Sequence, residues 1–390
     1  MFLQNLASWI AFSLAVPLAA AFQKNHPSKN DRGPDQVIMD TDMILLDDPM
    51  ALQVMLEWER VQEDKTQLKA VNINADSKYS AMMTWEILKY YAPDKYNGHD
   101  KLPVGLRRPV TDFKWNPTTF RDLYGPKVDI VGEIASKIGA DWSGSESDVE
   151  EKTEDPVKVY EDMLEKADDQ TVTILSIGFF DNLYEFMQKH ENRELIKKKV
   201  WRMLVMGGDK TPSGSSHNFY AREDGHPDPS NEAAKKTAFV FNNWPSEVPI
   251  YFSGLGKNEL VGVRLLEATG LDQDPIRRAI VLYNEPSELL TKEKPVHSCP
   301  DVTLAFAVGD VDEEWFEDLN PHGKLNMIEK NGEYDGSYEW DDSSDTKNNI
   351  LLGVKSGETK DFEGKSLKLP DEVGRLVDTF VLKAAQDAAH

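Results

Sequence analysis

The sequence predicts an α/β fold: an open, mostly parallel sheet flanked by helices, with a β-hairpin and a helix near the carboxyl terminus. Three observations predict it. Short apolar runs of strand length alternate with longer runs whose apolar residues recur at helical spacing. The apolar runs end at acidic or glycine-rich turns, where ligands of such sheets bind. At 390 residues, of which 40% are hydrophobic, the chain can bury a core on both faces of a sheet.

The elements follow in order. Residues 1–21 carry no charged side chain, and Leu6 to Ala20 is apolar and closed by small residues. This is the layout of a secretory signal peptide cleaved near Ala19 to Ala21, so the mature protein is expected to be extracellular. A retained anchor is the weaker reading, because spanning a bilayer takes about 20 apolar residues. A polar leader, residues 22–35, precedes one domain over 36–390. Gln36 to Thr41 reads as a buried strand, and Pro49 to Val61 as a helix opened by Pro49 and capped by Asp48. The unit recurs as strand Leu68 to Asn74 with helix Ser80 to Ala92, and as strand Val172 to Gly178 with helix Asp181 to His190. Strand Val200 to Met206 ends in Gly207-Gly208, helix Glu232 to Asn243 follows, and Val248 to Phe252 is a further strand. Ser143 to Asp155, rich in Gly, Ser and acid, reads as an exposed loop. Glu329 to Asn349 reads as a hairpin turning at Asn331-Gly332 and Asp335-Gly336, within an insertion over 323–354. An amphipathic helix over Asp371 to Ala389 closes the chain.

Charge narrows the partners. With 68 acidic and 44 basic residues the net charge is -24, a field that repels polyanions. Nucleic acid and anionic membrane surfaces are therefore poor partners, whereas neutral small molecules and cations fit. Homo-oligomerisation stays open. Cys299 is the only cysteine, which excludes an internal disulfide.

Chemistry concentrates in Asp40-Thr41-Asp42-Met43-Ile44-Leu45-Leu46-Asp47-Asp48, at the junction of the first strand and helix. Acids this close remain ionised in one pocket only beside a positive partner, most simply a divalent metal. Hard oxygen donors without His or Cys suit calcium or magnesium, with calcium favoured. Asp40 alone reads as a brace of the strand end, Asp42 and Asp48 as metal ligands. The sequence contains no phosphate loop, paired-histidine zinc helix, nucleophile elbow or dinucleotide fingerprint, and the acids lack the EF-hand spacing. Ser213-Gly214-Ser215-Ser216-His217 lacks the context of a serine nucleophile and reads as a flexible loop.

Val37-Ile38-Met39-Asp40-Thr41-Asp42, followed by Asp47-Asp48 and Ala51-Leu52, resembles the amino-terminal signature of the inosine-uridine-preferring nucleoside hydrolases. The resemblance continues in order through Thr173 to Leu183, Met206-Gly207-Gly208, Asn218-Phe219, Ala233-Ala234, Asn243-Trp244-Pro245 and Phe252-Ser253-Gly254. It ends at Ser298-Cys299-Pro300-Asp301 with Ala305 to Val308, where an Asp opens a helix.

The resemblance implies a calcium ion that activates water to hydrolyse the N-glycosidic bond of a ribonucleoside, a salvage activity on purine or pyrimidine nucleosides. By position it implies that Asp42 is ligand and general base, that Asp48 and Asp301 are ligands, and that Asp181 contributes its backbone carbonyl. Asp47, Asn74 and Asn218 would hold ribose hydroxyls. His297, four residues before Asp301, and His217, beside Asn218, are candidates to protonate the leaving base. Two departures stand out. The loop between Asp42 and Asp47 is one residue longer than in the family and lacks its Pro and Gly, and Ile44 should resist a positive φ. Ser216 stands where the family has a Glu that contacts the ribose. An alternative reading is an extracellular binding protein of this fold that keeps the metal or nucleoside site without turnover.

Overall fold

A computed structural model of the chain describes residues 33–98, 101–111, 148–210, 214–222, 227–256, 260–284, 300–310, 312–344 and 348–390. The predicted signal peptide, His297, Cys299 and the first part of the predicted acidic loop lie outside the described residues.

One ten-stranded sheet organises the molecule. Its strands are β1 (Asp35–Thr41), β2 (Thr66–Ile73), β3 (Val104–Leu106), β4 (Val172–Ser176), β5 (Val200–Met206), β6 (Gly214–Ser215), β7 (Ile250–Ser253), β8 (Phe316–Lys330), β9 (Glu333–Asp341) and β10 (Asn349–Val354). They lie in the order β3-β2-β1-β4-β5-β7-β10-β8-β9-β6. From β3 to β10 neighbouring strands are parallel, and β8, β9 and β6 extend the sheet antiparallel. β11 (Gly357–Lys360) and β12 (Ser366–Leu369) form a separate hairpin.

The main helices are α1 (Asp47–Val61), α2 (Lys78–Tyr91), α3 (Pro156–Lys166), α4 (Asp181–Met187), α5 (His190–Lys199), α6 (His217–Tyr220), α7 (Glu232–Asn243), α8 (Pro275–Asn284), α9 (Pro300–Gly309) and α10 (Val373–Ala388). They cover both faces of the sheet, which is why Val37, Ile38 and Met39 of β1 are apolar in succession rather than in alternation. Val37 and Met39 enter the core built with α1, α2, α9 and α10, whereas Ile38 enters the opposite core with α3, α4 and α7. No helix among the described residues is long and apolar enough to cross a membrane.

The strand order places the site. Connections run outward from β1 through β2 to β3 on one side and from β4 onward on the other, so the order reverses between β1 and β4. The carboxyl ends of two such strands are the usual ligand position in open α/β sheets.

Several expectations change. Asp48 does not cap α1: it lies inside the first turn, and Leu46 takes the cap position without a side-chain bond. The helix predicted from Asp181 to His190 stops at Met187, because Asn192 and Arg193 of α5 donate side-chain hydrogen bonds to the carbonyls of Phe186 and Met187. Asp335-Gly336 is no turn but lies within β9, since Asn331-Gly332, both at positive φ, already reverses the chain. The hairpin also begins earlier, at Phe316. The described part of the predicted acidic loop forms a short helix, Asp148–Lys152, with Val149 buried. Ser216 and the β6 residues are likewise held in place rather than forming a free loop, Gly214–Ser215 being paired with β9.

Candidate functional site

Thr41 and Asp40, adjacent at the end of β1, project to opposite faces as strand geometry requires. Asp40, on the Ile38 face, is fully buried. Tyr160 of α3 donates its hydroxyl to Asp40 Oδ2 at 2.7 Å, Asn74 donates to Oδ1 at 2.6 Å, and Asn182 of α4 donates at 3.3 Å. Burial pushes the Asp40 carboxyl up to about 7 against the pull of these donors. Thr41 points toward α1 and donates its hydroxyl to Asp48 Oδ1. Asp48 also accepts from the backbone N–H of Met43 and of Leu45, both at 3.3 Å.

The lengthened loop solves its geometry at Met43. That residue, not Ile44, takes the left-handed backbone, with φ 51°. Its N–H bonds to Thr41 Oγ1 at 3.1 Å, and Ile44 N–H bonds to Asp42 Oδ1 at 3.1 Å. Met43, Ile44 and Leu46 bury their side chains in the core. The loop is therefore anchored by apolar burial.

Asp47, Asp48 and Asp301 converge: one carboxylate oxygen from each lies within 4.8 Å of the others. Asp301 arrives from the amino end of α9, which packs along α1. Gly309 at the far end of α9 faces the Trp58 ring of α1 with no room for a side chain between them. Contacts at both ends show that the two helices run in the same direction, so both amino termini, favourable for negative charge, point at the cluster.

Burial, followed by the charge of Asp48, raises the Asp42 carboxyl well above its ordinary range. Asp48 is pushed up to about 7 by burial and by Asp47, while the Thr41 hydroxyl pulls it down. Asp301 is raised well above the usual range by burial and then by Asp47, Asp48 and Asp42. Asp301 Oδ1 is moreover buried without a hydrogen-bond partner. Like charges crowded in a buried pocket around an orphaned carboxylate oxygen fit a hard divalent cation.

The remaining sequence-predicted residues divide. Asn74 donates one N–H to Asp40 and one to the carbonyl of Phe179 at 2.9 Å, while its Oδ1 accepts from Phe179 N–H at 3.2 Å. Its amide clasps the ends of β1, β2 and β4 together. The Asp181 carboxylate stands apart from the acid cluster, ion-paired to Lys236 of α7 and, at 3.2 Å, to Arg107. Asn218 is buried and donates to the Ile177 carbonyl at 2.8 Å. The His217 ring lies 6.4 Å from that of Phe179, and Ser216 Oγ accepts from Gly208 N–H at 2.9 Å. Gly178 is required by close approach, since a Cβ there would meet the Asp42 backbone nitrogen and lie 2.7 Å from Asn74 Nδ2.

Sequence reasoning missed Tyr160, Arg107 and Lys236. The first had a signal, Asp155-Pro156, whose carboxylate caps α3 by accepting from Val157 N–H at 2.8 Å. The two cations had none.

No protein-family model matches the sequence, and no curated protein matches it. Among solved structures, the fold is similar to that of a plant nucleoside hydrolase, with TM-score 0.53 and 15% identity over 89% of this chain and 99% of that one. It is similar to an inosine-guanosine nucleoside hydrolase, with TM-score 0.55 and 13% identity over 89% and 98% of the two chains. A type III effector, XopQ, complexed with adenosine diphosphate ribose, matches with TM-score 0.51 and 12% identity over 94% and 96%. At such identities the likeness is one of fold: the chain has a nucleoside hydrolase-like fold.

Proposed function

We propose that this chain hydrolyses the N-glycosidic bond of ribonucleosides with the help of a calcium ion. The observation that carries the reading is the meeting of Asp301 with Asp47 and Asp48 around a buried carboxylate oxygen that has no hydrogen-bond partner. The solved neighbours named as nucleoside hydrolases support it at the level of fold.

Asp42, Asp48 and Asp301, with the backbone carbonyl of Asp181, would hold the ion. When bound, calcium orients sugar hydroxyls and makes water more acidic. Its charge also favours the ionised form of the carboxylates, so that Asp42 can accept a proton. In the reaction, water oxygen bonds to the anomeric carbon as the carbon–nitrogen bond breaks. The bonding pair leaves with the base, and one proton of the water passes to Asp42. The base is protonated by His217, by His297 or by solvent. Asp47 and Asn218 are assigned to the ribose hydroxyls. The Asn74 amide is engaged by Asp40 and the Phe179 backbone, so we assign it ribose contact only through a rearranged amide. The carboxylates stabilise the positive charge that develops on the sugar.

The experiment uses protein secreted with its own leader, whose first residue after cleavage should fall within Ala20 to Phe22. Metal-replete protein is incubated with purine and pyrimidine nucleosides, and reducing sugar is measured with and without chelator. Sugar release abolished by chelation is expected. Absence of release from every nucleoside would sink the proposal, and recovery only of cell-retained, uncleaved protein would overturn the separate expectation that the chain acts outside the cell.

A further inference from the structure

Around Ser216, His217 and Asn218 the described residues form only the two-residue β6 and the one-turn α6. The segment leaves β5 through Gly207 and Gly208, both at positive φ, and α6 has no side-chain cap. Its neighbours therefore fix its position.

Much of the support comes from a hairpin more than 100 residues later in the chain. β6 pairs with β9, Gly214 opposite Tyr338 and Ser215 opposite Ser337. The buried Tyr338 fills the space over Gly214, where a Cβ would lie 2.6 Å from the phenol oxygen. The same ring lies 5.6 Å from that of Phe219, one residue beyond Asn218. Tyr220 seats against Gly336, where a Cβ would lie 2.9 Å from its ring. Trp340 donates its indole N–H to the Gly208 carbonyl at 2.9 Å, at the loop's origin. The hairpin is itself fixed, since β8 pairs with β10 and β10 with β7. Three points of the loop, Gly208, Gly214 and Phe219 to Tyr220, are thus set by one rigid extension of the sheet.

We propose that the β8–β9 hairpin is a positioning element for the substrate side of the site, with Tyr338 and Trp340 as positioning residues for the His217–Asn218 turn. The consequence for substrate rests on the function proposed above; the consequence for the loop does not. The hairpin sets the grip on the sugar and leaves the cation cluster, built by β1, α1 and α9, unaffected.

The test compares the full-length protein with Tyr338→Ala, Tyr338→Phe and Trp340→Phe. Hydrogen exchange should accelerate about tenfold or more in Tyr338→Ala at the amides of Phe219 and Ala221, which bond to Ser216 and His217, while the β1 amides keep their protection. KM for a hydrolysed nucleoside should rise about tenfold, with calcium affinity by calorimetry unchanged. Tyr338→Phe keeps the packed ring and should stay closer to the wild type than Tyr338→Ala. Trp340→Phe keeps an aromatic ring there but loses the indole N–H bond to Gly208, and should move exchange and KM in the same direction by a smaller factor; it carries the test if Tyr338→Ala does not fold. The proposal is overturned by unchanged exchange at 214–221 in Tyr338→Ala and Trp340→Phe, by equal acceleration in β1, or by parallel loss of calcium affinity. Should the wild type hydrolyse no nucleoside, the functional reading fails and the exchange measurement alone decides the positioning role.

Discussion

Asp301 concentrates the physical argument at the scale of single residues. A carboxylate oxygen buried without a partner is costly, and three further acids raise the proton affinity of the same group. A cation relieves both strains at once. Asp301→Asn removes one charge and one ligand oxygen. Calcium affinity measured by calorimetry should fall by more than about 100-fold, because a direct ligand outweighs an outer-shell partner whose loss costs about 10- to 100-fold. In chelator the same variant should unfold at a higher temperature than the wild type, since one of four crowded acids becomes neutral. An unaltered calcium affinity would place the ion elsewhere. Asp48 illustrates the related point that an acid at a helix start need not cap it: both its oxygens serve the Asp loop instead.

At the scale of elements, the site is a junction of strand ends. β1 and β4 stay paired through Asp40 and Ser176, where the sheet order reverses, and Gly178 lets the chain leaving β4 lie directly against Thr41 and Asp42. Asn74 then ties the exit of β2 to both. A methyl group at 178 would press on backbone, which cannot swing aside as a side-chain tip can. Gly178→Ala should therefore destabilise the protein by about 1–3 kcal/mol in urea unfolding, the usual range for overpacking. It should also weaken calcium binding, because Asp42 moves with its own backbone. Wild-type stability in the variant would show that the strand ends are more loosely joined than their geometry indicates.

Across the whole molecule, net charge and buried acids act in the same direction. Asp48 has a folded-state value of about 7 against an ordinary 3.8, so the metal-free folded protein holds its proton more tightly than the unfolded chain. The stability supplied by this proton is complete below about pH 4 and is lost as pH rises through about 7. Asp40, also pushed up to about 7, adds to the same trend. With a net charge of -24, rising pH also increases self-repulsion. Scanning calorimetry in chelator should show the unfolding temperature falling from about pH 5 to about pH 8. Excess calcium should flatten or reverse that fall and release protons on binding. A metal-free protein that becomes more stable over this interval would contradict the account.

Much of the fold was legible in the chain itself. β5 and α7 have the bounds their apolar periodicity predicts, and β1, α1, β2, α2 and α10 differ only at their ends. β3 and β6, at three and two residues, are too short to show a period. Asp335-Gly336 misled because a turn dipeptide specifies a turn only where the strands need one. The acids of the 40–48 segment were visible as a cluster, since local crowding is a property of sequence. That Asp301 joins them was expected only through the resemblance, since no local pattern links residues so far apart; that Tyr160 and Asn182 secure Asp40, and that a late hairpin braces the 214–220 segment, were decided by tertiary structure. Periodicity states which face of an element is buried, but not which distant element covers it; that depends on strand order and on close approaches such as Gly178 and Gly309, which exist only once the chain has folded.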